Sequence, residues 1–312
     1  MNFKDNLEKI VSELSEILPR DAILDTPDQT VRYSSDETAI HYQPDCVVLP
    51  KNTEQIAGVM EIASRHKIPV TPRGGGSGLT GGALPVKGGI LLVMTDMDEI
   101  LEIDTDNMTA TAQPGIILEE FQNSILEKGL FYPPDPNSFE SAALGGTIAE
   151  NAGGPKTVKY GVTSDYVMGL TVVLPDGEII RTGGKNRKCV ARYNLTQLFT
   201  GSEGTLGIIT EITVRLIAKP ESVKTMLALF PDFRDGAKAV SAIISARLVP
   251  STLEFLDRLA VHLVRKFLNM SVSVAADNLL LDAGENSAFL LIEVDGKDDE
   301  LEENLQIGRA HV

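Results

Sequence analysis

Apolar residues recur along the first half of the chain at spacings that predict alternating helices and strands. A helix is predicted over residues 3–18, because its apolar residues share one face at a period of 3.6. These residues are Leu7, Ile10, Val11, Leu14, Ile17 and Leu18. Further helices are predicted over 53–66, with Thr53 as the N-cap, and over 116–128. Short apolar runs predict strands over 46–50, 68–72, 89–94 and 109–114.

The second half of the chain continues this pattern. Two apolar runs flank Pro175-Asp176-Gly177 within residues 169–180 and predict a β-hairpin. A long strand is predicted over 207–218, and a domain boundary near Lys219-Pro220-Glu221. After the boundary, the pattern predicts a strand (224–230), a helix (233–246), a strand (252–257), a helix (258–269) and a strand (287–294).

This order indicates an α+β fold in two parts. We predict one domain over residues 1–220, including the N-terminal helix, and the start of a second domain over 221–306. The last six residues, Ile307 to Val312, back-translate to a stretch that resembles a common sequencing adapter. We therefore expect a truncated reading frame and a non-native tail over 307–312.

The net charge of −16 argues against two classes of partner. Nucleic acid and anionic membranes bind basic surfaces, so neither is expected as the main partner. No run approaches the roughly 18 apolar residues of a transmembrane helix, and the N-terminus lacks the features of a signal peptide. Two distant cysteines, Cys46 in an apolar run and Cys189 beside basic residues, make no disulfide framework. We predict a cytoplasmic protein without a transmembrane segment.

The densest glycine cluster is PRGGGSGLTGG, residues 72–82, which contains G-x-G-x-x-G at Gly76, Gly78 and Gly81. The dinucleotide-binding fingerprint requires a helix directly after such a loop. Here Pro85 and Gly88-Gly89 lead into another strand, so we reject a Rossmann site.

This loop nevertheless has the composition of an anion-binding site. Glycines allow positive φ, and successive exposed N–H groups bind anions such as a pyrophosphate. Arg73, Ser77 and Thr80 could add donors, and Arg73 would add a charge. A tight structural loop without any ligand is the alternative interpretation.

Two more glycine clusters lie at 133–165 and 201–210. Gly145-Gly146-Thr147 can start a helix, and Asn151 with Gly153-Gly154 predicts its left-handed C-cap. Ordinary caps and turns would explain single glycines here. Three clusters, each beside the end of a strand or helix, indicate an extended ligand that lies across several loops.

Three long stretches in this order carry a family likeness: PRGGGSGLTGG, YPPDPNSFESAALGGTIAENAGGPKTVKYGVTSDYVMGLTVVLPDGEI and GSEGTLGIITEITVRL. They resemble the PCMH-type FAD-binding domain of the vanillyl-alcohol oxidase superfamily, within its glycolate oxidase and D-lactate dehydrogenase branch. The likeness covers residues 30–220. Residues 221–306 resemble the start of that family's α+β C-terminal cap domain.

The resemblance implies FAD as the cofactor and assigns FAD-binding positions in four segments. The pyrophosphate loop corresponds to Gly74, Gly75, Gly76, Ser77, Gly78 and Gly81. The segment that passes near the flavin corresponds to Pro134, Asp135 and Ser138. The loop that binds the ring and ribityl chain corresponds to Gly146, Asn151, Gly153 and Gly154, with Gly161 and Val162 just beyond. The last contact segment corresponds to Glu203, Gly204, Gly207 and Ile209.

The resemblance also has implications for how FAD is attached to the protein and for which residues are catalytic. Some members attach FAD through a histidine of the first loop; Ser77 stands in that place, so non-covalent FAD is expected. The histidines His41, His66, His262 and His311 lack the spacing of metal ligands. We therefore assign no metal site and no catalytic base, and expect the base in a part of the protein missing from this chain.

The implied reaction is hydride transfer from C2 of a small 2-hydroxy acid, of the glycolate or D-lactate type, to flavin N5. The product is a 2-oxo acid, and an electron-transfer protein is a candidate partner. Two alternatives stay open. The same flavin fold could act on another alcohol or a nucleotide-sugar, or the chain could be a FAD-binding module without activity.

Overall fold

The computed structural model describes residues 7–188, 190–191, 193–268, 286–297 and 301, without the side chains of residues 264 and 265. The tail predicted as non-native, 307–312, lies outside the described residues, and so do Cys189 and His311. The helix predicted over 3–18 is described from Leu7 onward, and the helix predicted over 258–269 is described up to Leu268.

The described residues contain both α-helices and β-strands. The helices are α1 (Leu7–Leu14), α2 (Pro27–Thr30), α3 (Thr53–His66), α4 (Leu118–Leu126), α5 (Leu144–Glu150), α6 (Thr157–Tyr160), α7 (Leu195–Phe199), α8 (Phe233–Ser245) and α9 (Arg258–Leu268). The strands are β1 (Ile23–Leu24), β2 (Cys46–Val48), β3 (Val70–Arg73), β4 (Ile90–Val93), β5 (Ile100–Asp104), β6 (Thr109–Ala112), β7 (Leu130–Phe131), β8 (Val167–Val173), β9 (Ile179–Gly183), β10 (Ile208–Arg215), β11 (Ile217–Ala218), β12 (Ser222–Phe230), β13 (Thr252–Asp257) and β14 (Ala288–Gly296). The mixed α+β class is confirmed.

The chain divides into two compact units. The first contains residues 1–132, 136–152 and 162–218. The second contains residues 219–312 together with two short segments, 133–135 and 153–161, that interrupt the first unit in sequence.

The first unit is built around a small sheet with the strand order β1-β2-β4-β3. Strands β2, β4 and β3 are parallel, with Val47 opposite Leu91 and Thr71 also opposite Leu91. All residues of β2 and β4 are buried, which fits the continuous apolar runs of parallel strands covered on both faces. The predicted buried strand at Cys46 is therefore confirmed.

Helices α1 and α3 cover this sheet. Ile10, Val11 and Leu14 of α1 are buried in the same core as Ile56 and Val59 of α3. The predicted apolar face is confirmed, although α1 ends at Leu14 and not at Leu18. Leu18 is still buried in the core, because its N–H bonds the Leu14 carbonyl and keeps the last turn folded back.

The predicted N-cap of α3 is wrong by one residue. The cap is Asn52, whose side-chain oxygen accepts from the Gln55 N–H at 2.9 Å. Thr53 is instead the first helical residue and is buried, and its hydroxyl donates to Thr210 Oγ1 at 3.0 Å. Because the helix already includes Thr53, the capping position falls to the residue before it.

No helix follows the glycine-rich loop after β3. Residues 74–89 run through turns directly into β4, which pairs in parallel with β3. The rejection of a Rossmann arrangement is confirmed, since its strand–loop–helix order is absent from this described segment.

A second sheet in the first unit is antiparallel and has the order β5-β6-β10-β8-β9. The predicted hairpin is confirmed by the pairing of β8 with β9. The long strand predicted over 207–218 breaks at Leu216, where the N–H of this buried residue donates to the Met108 carbonyl. After the break, β11 leaves the sheet and pairs with β7.

The second unit contains an antiparallel sheet with the order β12-β14-β13. Helix α8 buries Ala239 and Ile243 against the apolar residues of β12 and β14. The predicted β-α-β-α-β order after residue 220 is confirmed. The predicted domain limits themselves stay a prediction.

Buried polar contacts tie the segment 153–161 to β14 within the second unit. Lys159 pairs with the Asp295 carboxylate, and its ammonium also donates to the Asp295 carbonyl oxygen at 2.8 Å. The Tyr160 hydroxyl donates to the other carboxylate oxygen of Asp295 at 2.7 Å. Both oxygens of this buried carboxylate are therefore paired, as burial of a charge requires.

None of the described helices is both long and apolar enough to cross a membrane. The cytoplasmic location stays a prediction.

The first prediction concerns the cap of α3. Asn52→Ala removes the acceptor for the Gln55 N–H and should lower the free energy of unfolding by about 1 kcal/mol. Urea denaturation followed by circular dichroism measures this loss. Asn52→Asp is the control, because aspartate caps as well as asparagine. An equal loss in both variants would contradict the capping role.

The second prediction concerns Cys46, which has no exposed surface. Burial raises the pKa of its thiol to about 12, with a smaller contribution from the charge of Asp45. Thiol reagents attack the thiolate. Cys46 in the folded protein should therefore stay unmodified in mildly alkaline buffer and react once the protein is unfolded in urea.

A Cys189→Ser background isolates the Cys46 signal in this measurement. The folded state holds the thiol proton more tightly than the unfolded state, whose pKa is about 8.5. Its contribution to stability is full below the unfolded value and is lost as the pH rises through that value toward the folded one. Rapid modification of the folded protein would show that this strand opens.

Candidate functional site

The three glycine clusters of the sequence meet in the first unit. The loop after β3 packs on the segment before α5: a Cβ at Gly75 would lie 2.0 Å from the Ser141 carbonyl oxygen. The cluster before β10 packs on the end of β3, because a Cβ at Gly204 would lie 2.4 Å from Pro72 Cγ. These close backbone approaches bring together loops that are far apart in sequence.

The clusters line one cavity of about 400 Å³. This volume falls within the range of small-molecule and cofactor sites. Its lining residues come from three segments and three isolated positions. The isolated positions are Asp36, Met94 and Pro114. The segments contribute residues 72–80 and 82–83; residues 136–138, 142–143, 145–147, 149–150 and 152; and residues 203–204 and 207–209.

The first loop contains backbone N–H groups that have no partner among the described residues. None of the N–H groups between Gly74 and Gly78 donates a hydrogen bond to another described residue. Backbone donors in folded proteins are nearly always satisfied by protein, water or ligand. A row of free amides in a concave loop is a binding surface for an anion.

Arg73 adds a buried positive charge at the base of the loop. It is the last residue of β3, is only 9% exposed, and its Nη1 has no hydrogen-bond partner among the described residues. Burial lowers the pKa of its guanidinium, while the charge of Asp36 opposes this effect. Arginine stays protonated under such conditions, so this buried donor is left without an acceptor among the described residues.

Gly76 allows Arg73 to take this position. Gly76 has φ +73°, and a Cβ there would lie 2.1 Å from Nη2 of Arg73. The guanidinium therefore lies directly beneath the loop, in space that only a glycine at 76 leaves open.

Carboxylates surround the other end of the loop. Glu150, the last residue of α5, accepts from the Thr80 hydroxyl at 2.9 Å. Glu203 has a left-handed backbone with φ +52°, and its N–H donates to the Ala149 carbonyl at 2.9 Å. The third cluster is thus held on the C-terminal end of α5.

Twelve of the sequence-predicted cofactor positions line the cavity. They are Arg73, Gly74, Gly75, Gly76, Ser77, Gly78, Ser138, Gly146, Glu203, Gly204, Gly207 and Ile209. The structure brings these together from loops up to about 130 positions apart in sequence, as a single extended ligand would require.

Eight predicted positions do not line it. In the first unit these are Gly81, Asn151 and Val162; in the second unit they are Pro134, Asp135, Gly153, Gly154 and Gly161. Their structural roles are local where contacts are described. Asn151 forms the predicted left-handed C-cap of α5, and its side-chain oxygen accepts from the Ser164 N–H at 2.8 Å.

Asp135 and Gly154 contact each other in the second unit. The Asp135 carboxylate pairs with the Lys156 ammonium at 2.5 Å and accepts from its backbone N–H at 3.2 Å. Burial raises the pKa of Asp135, and the hydrogen bond and charge of Lys156 oppose that rise. A Cβ at Gly154 would lie 2.2 Å from the Asp135 carbonyl oxygen.

Asp36, which lies upstream of every glycine cluster, also lines the cavity and was not predicted from the sequence. No pattern in residues 30–40 distinguishes it from a surface carboxylate, so only the fold reveals that it lines the cavity. Thr147 and Glu150 were not predicted either, although both lie inside the quoted motifs.

The described histidines lie elsewhere. His41 contacts Ser34 at 3.4 Å, and His66, at the end of α3, contacts the Glu13 carboxylate at 3.0 Å. This hydrogen bond lowers the pKa of Glu13. His262 lies on α9. No group of three or more potential metal-ligating side chains occurs among the described residues.

These features fit a ligand that carries a diphosphate. Free amides and a buried arginine donor suit phosphate oxygens, and the cavity extends from this loop to two further backbone segments.

Two family assignments match the chain. The family described as "FAD binding domain" matches residues 44–183, and the family described as "FAD linked oxidases, C-terminal domain" matches residues 219–311. Both expectations drawn from the resemblance, for the FAD-binding domain and for the domain that follows it, are confirmed.

Relatives and solved structures agree with this assignment. The chain is 47% identical over 276 residues to "Glycolate oxidase subunit GlcD" of Bacillus subtilis, covering 88% of this chain and 56% of the relative. It is 37% identical over 299 residues to "D-lactate dehydrogenase" of Anaerostipes hadrus, covering 95% and 62%. A structure of alkyldihydroxyacetonephosphate synthase shares the fold, with a TM-score of 0.84 at 24% identity over 97% of this chain and 60% of that one.

The chain thus spans less than two thirds of the length of these relatives. Within that span, the two matched domains and the glycine loops agree on one conclusion. The chain belongs to the PCMH-type FAD-binding oxidoreductases that carry an FAD-linked oxidase C-terminal domain.

Proposed function

We propose that the cavity of the first unit binds FAD without a covalent bond, and that the protein oxidises a small 2-hydroxy acid of the glycolate or D-lactate type. The observation that carries the proposal is the row of unpaired N–H groups from Gly74 to Gly78 in a cavity of an FAD-binding domain. Twelve of the assigned positions line this cavity.

The chain's own groups would hold the cofactor as follows. The amides of 74–78 would donate to the diphosphate oxygens, and Arg73 Nη1 would donate to an acceptor beside them. The segments at Gly146 and at Gly204 would enclose the remainder of the molecule. The close approach of Gly75 to Ser141 keeps two of these segments in register before any ligand binds, which reduces the ordering cost of binding.

Non-covalent attachment is supported by the side chains that line the cavity. Among the described residues, the lining contains no histidine, cysteine or tyrosine, and Ser77 occupies the place that the resemblance gives to an attaching histidine. A serine hydroxyl cannot form that link, so FAD would be held by hydrogen bonds and packing alone.

The substrate class is supported by the relatives. Those named for glycolate and D-lactate share 30–47% identity with this chain. FAD supplies the hydride acceptor when it is bound. The Bacillus relative is named as a subunit, which supports a further protein as the electron acceptor.

The test is anaerobic reduction of the bound flavin. The purified full-length protein, loaded with FAD, is mixed with glycolate, D-lactate, L-lactate and a non-acid alcohol, and the flavin absorbance is followed. Bleaching by a 2-hydroxy acid but not by the alcohol is the expected result. Bleaching only by other alcohols, or by none of the donors, would overturn the substrate proposal.

A colourless protein that gains no flavin spectrum with added FAD would overturn the cofactor proposal separately. This outcome is distinct from a flavoprotein that stays oxidised, because flavin absorbance is visible before any donor is added.

Gly76→Val is expected to abolish FAD retention. A β-branched residue at φ +73° is strained, and its Cβ would displace the Arg73 guanidinium. Strain and the lost charged hydrogen bond together should weaken FAD binding by roughly a hundredfold or more. The measurement is the dissociation constant of FAD from the apoprotein, by quenching of flavin fluorescence.

Gly129→Val is the matched control for this variant. Gly129 also has φ +73°, but no atom lies within 4 Å of a Cβ built there. The same backbone strain should therefore lower stability without changing FAD affinity. If Gly76→Val binds FAD as tightly as the wild type does, the proposed placement of the pyrophosphate at this loop is wrong.

A further inference from the structure

Two buried polar atoms at the cavity have no partner among the described residues, and they are of opposite type. Arg73 Nη1 is a donor, and Asp36 Oδ2 is a carboxylate acceptor. Both residues line the cavity. Leaving such groups unpaired in the protein interior costs free energy, so each points to a ligand group of complementary type.

Asp36 is held in a fixed orientation by its own turn. Its Oδ1 accepts from the Thr38 N–H at 2.9 Å and also from the Thr38 hydroxyl. Oδ1 is therefore already used within the protein, while Oδ2 of the same carboxylate is buried and free. The carboxylate is positioned before a ligand arrives.

The charges of Asp36 and Arg73 determine which ligand groups can bind to each of these two atoms. An ionised carboxylate accepts hydrogen bonds and donates none, and it repels phosphate oxygens. Asp36 must therefore face a hydroxyl or N–H donor. Arg73, whose charge is close enough to interact with Asp36, can take a phosphate oxygen on its free donor. Together, Asp36 and Arg73 could bind the part of a ligand where a diphosphate joins a chain that carries hydroxyl groups.

We propose that Asp36 is a cofactor-positioning residue whose Oδ2 accepts a hydrogen bond from a sugar-type hydroxyl of FAD next to the diphosphate. This inference rests on the proposed function. Asp36 lies outside the residues 44–183 that match the FAD-binding domain family. The N-terminal segment would therefore complete the cofactor site. It would favour a ligand that has a hydroxyl group facing Asp36 Oδ2 over a ligand that has a phosphate there.

The test compares Asp36→Asn with Glu37→Gln in the full chain. The asparagine side chain can keep the Oδ1 contacts with Thr38 while an amide group of the same size replaces Oδ2. Glu37 is the neighbouring carboxylate and is exposed, so its variant makes the same change in net charge. The dissociation constant of FAD from each apoprotein is measured together with its urea unfolding curve.

Asp36→Asn should weaken FAD binding roughly tenfold, because a charge-assisted hydrogen bond is replaced by a neutral one. Asp36→Ala should weaken it at least as much, and Glu37→Gln should match the wild type. The unfolding midpoint of apo Asp36→Asn should not fall, since the substitution removes a buried carboxylate oxygen that has no partner. A residue with only a structural role would lower the unfolding midpoint and leave the FAD affinity of the folded fraction unchanged.

The outcomes separate this inference from the proposed function. If the wild type binds FAD and Asp36→Asn binds it equally well, the role of Asp36 is overturned and the proposed function stands. If the wild type binds no FAD, both are overturned. If Asp36→Asn does not fold, the FAD affinity of Asp36→Ala decides: weaker binding than in the wild type supports the role, and unchanged binding overturns it.

Discussion

The site depends on backbone amides that have no hydrogen-bond partner in the part of the chain that the structure describes. Strands β3 and β4 are adjacent and parallel, and the chain connects them through a glycine-rich loop and not through a helix. A helix would have used its own N–H groups internally beyond the first turn. A loop does not, and the amides from Gly74 to Gly78 therefore stay available at the cavity. The close approach of Gly75 to the Ser141 carbonyl holds this loop in place, and Arg73 adds a charged donor at its base.

This arrangement explains how a strongly acidic chain can hold an anionic ligand. The net charge of −16 affects solubility and the electrostatic field far from the protein. Inside the cavity, the nearest charges and dipoles are those of the loop amides and the buried Arg73 guanidinium. Amide donors act at hydrogen-bond distance and carry no net charge. Arg73 supplies a single positive charge, and the carboxylates of Asp36, Glu150 and Glu203 limit where further negative charge can be placed.

Much of the fold could be predicted from local pattern. The apolar runs of β2 and β4, the hairpin at Pro175-Asp176-Gly177 and the element order after residue 220 all have counterparts in the structure. The predictions were wrong where a residue forms a hydrogen bond with a residue distant in sequence. Thr53 looked like a cap but bonds Thr210, and the strand over 207–218 breaks where Leu216 bonds Met108. Neither partner can be identified from spacing along the chain.

The sequence by itself determined that the glycine loops suit an extended anion and which motif family they belong to, because turn geometry and the absence of a following helix are local properties. Tertiary structure decided which residues share the cavity. It grouped Asp135 and Gly154 with the second unit and brought Asp36 beside Arg73. Burial and the pairing of charges depend on neighbours distant in sequence, and these are defined only once the strands and loops have packed together.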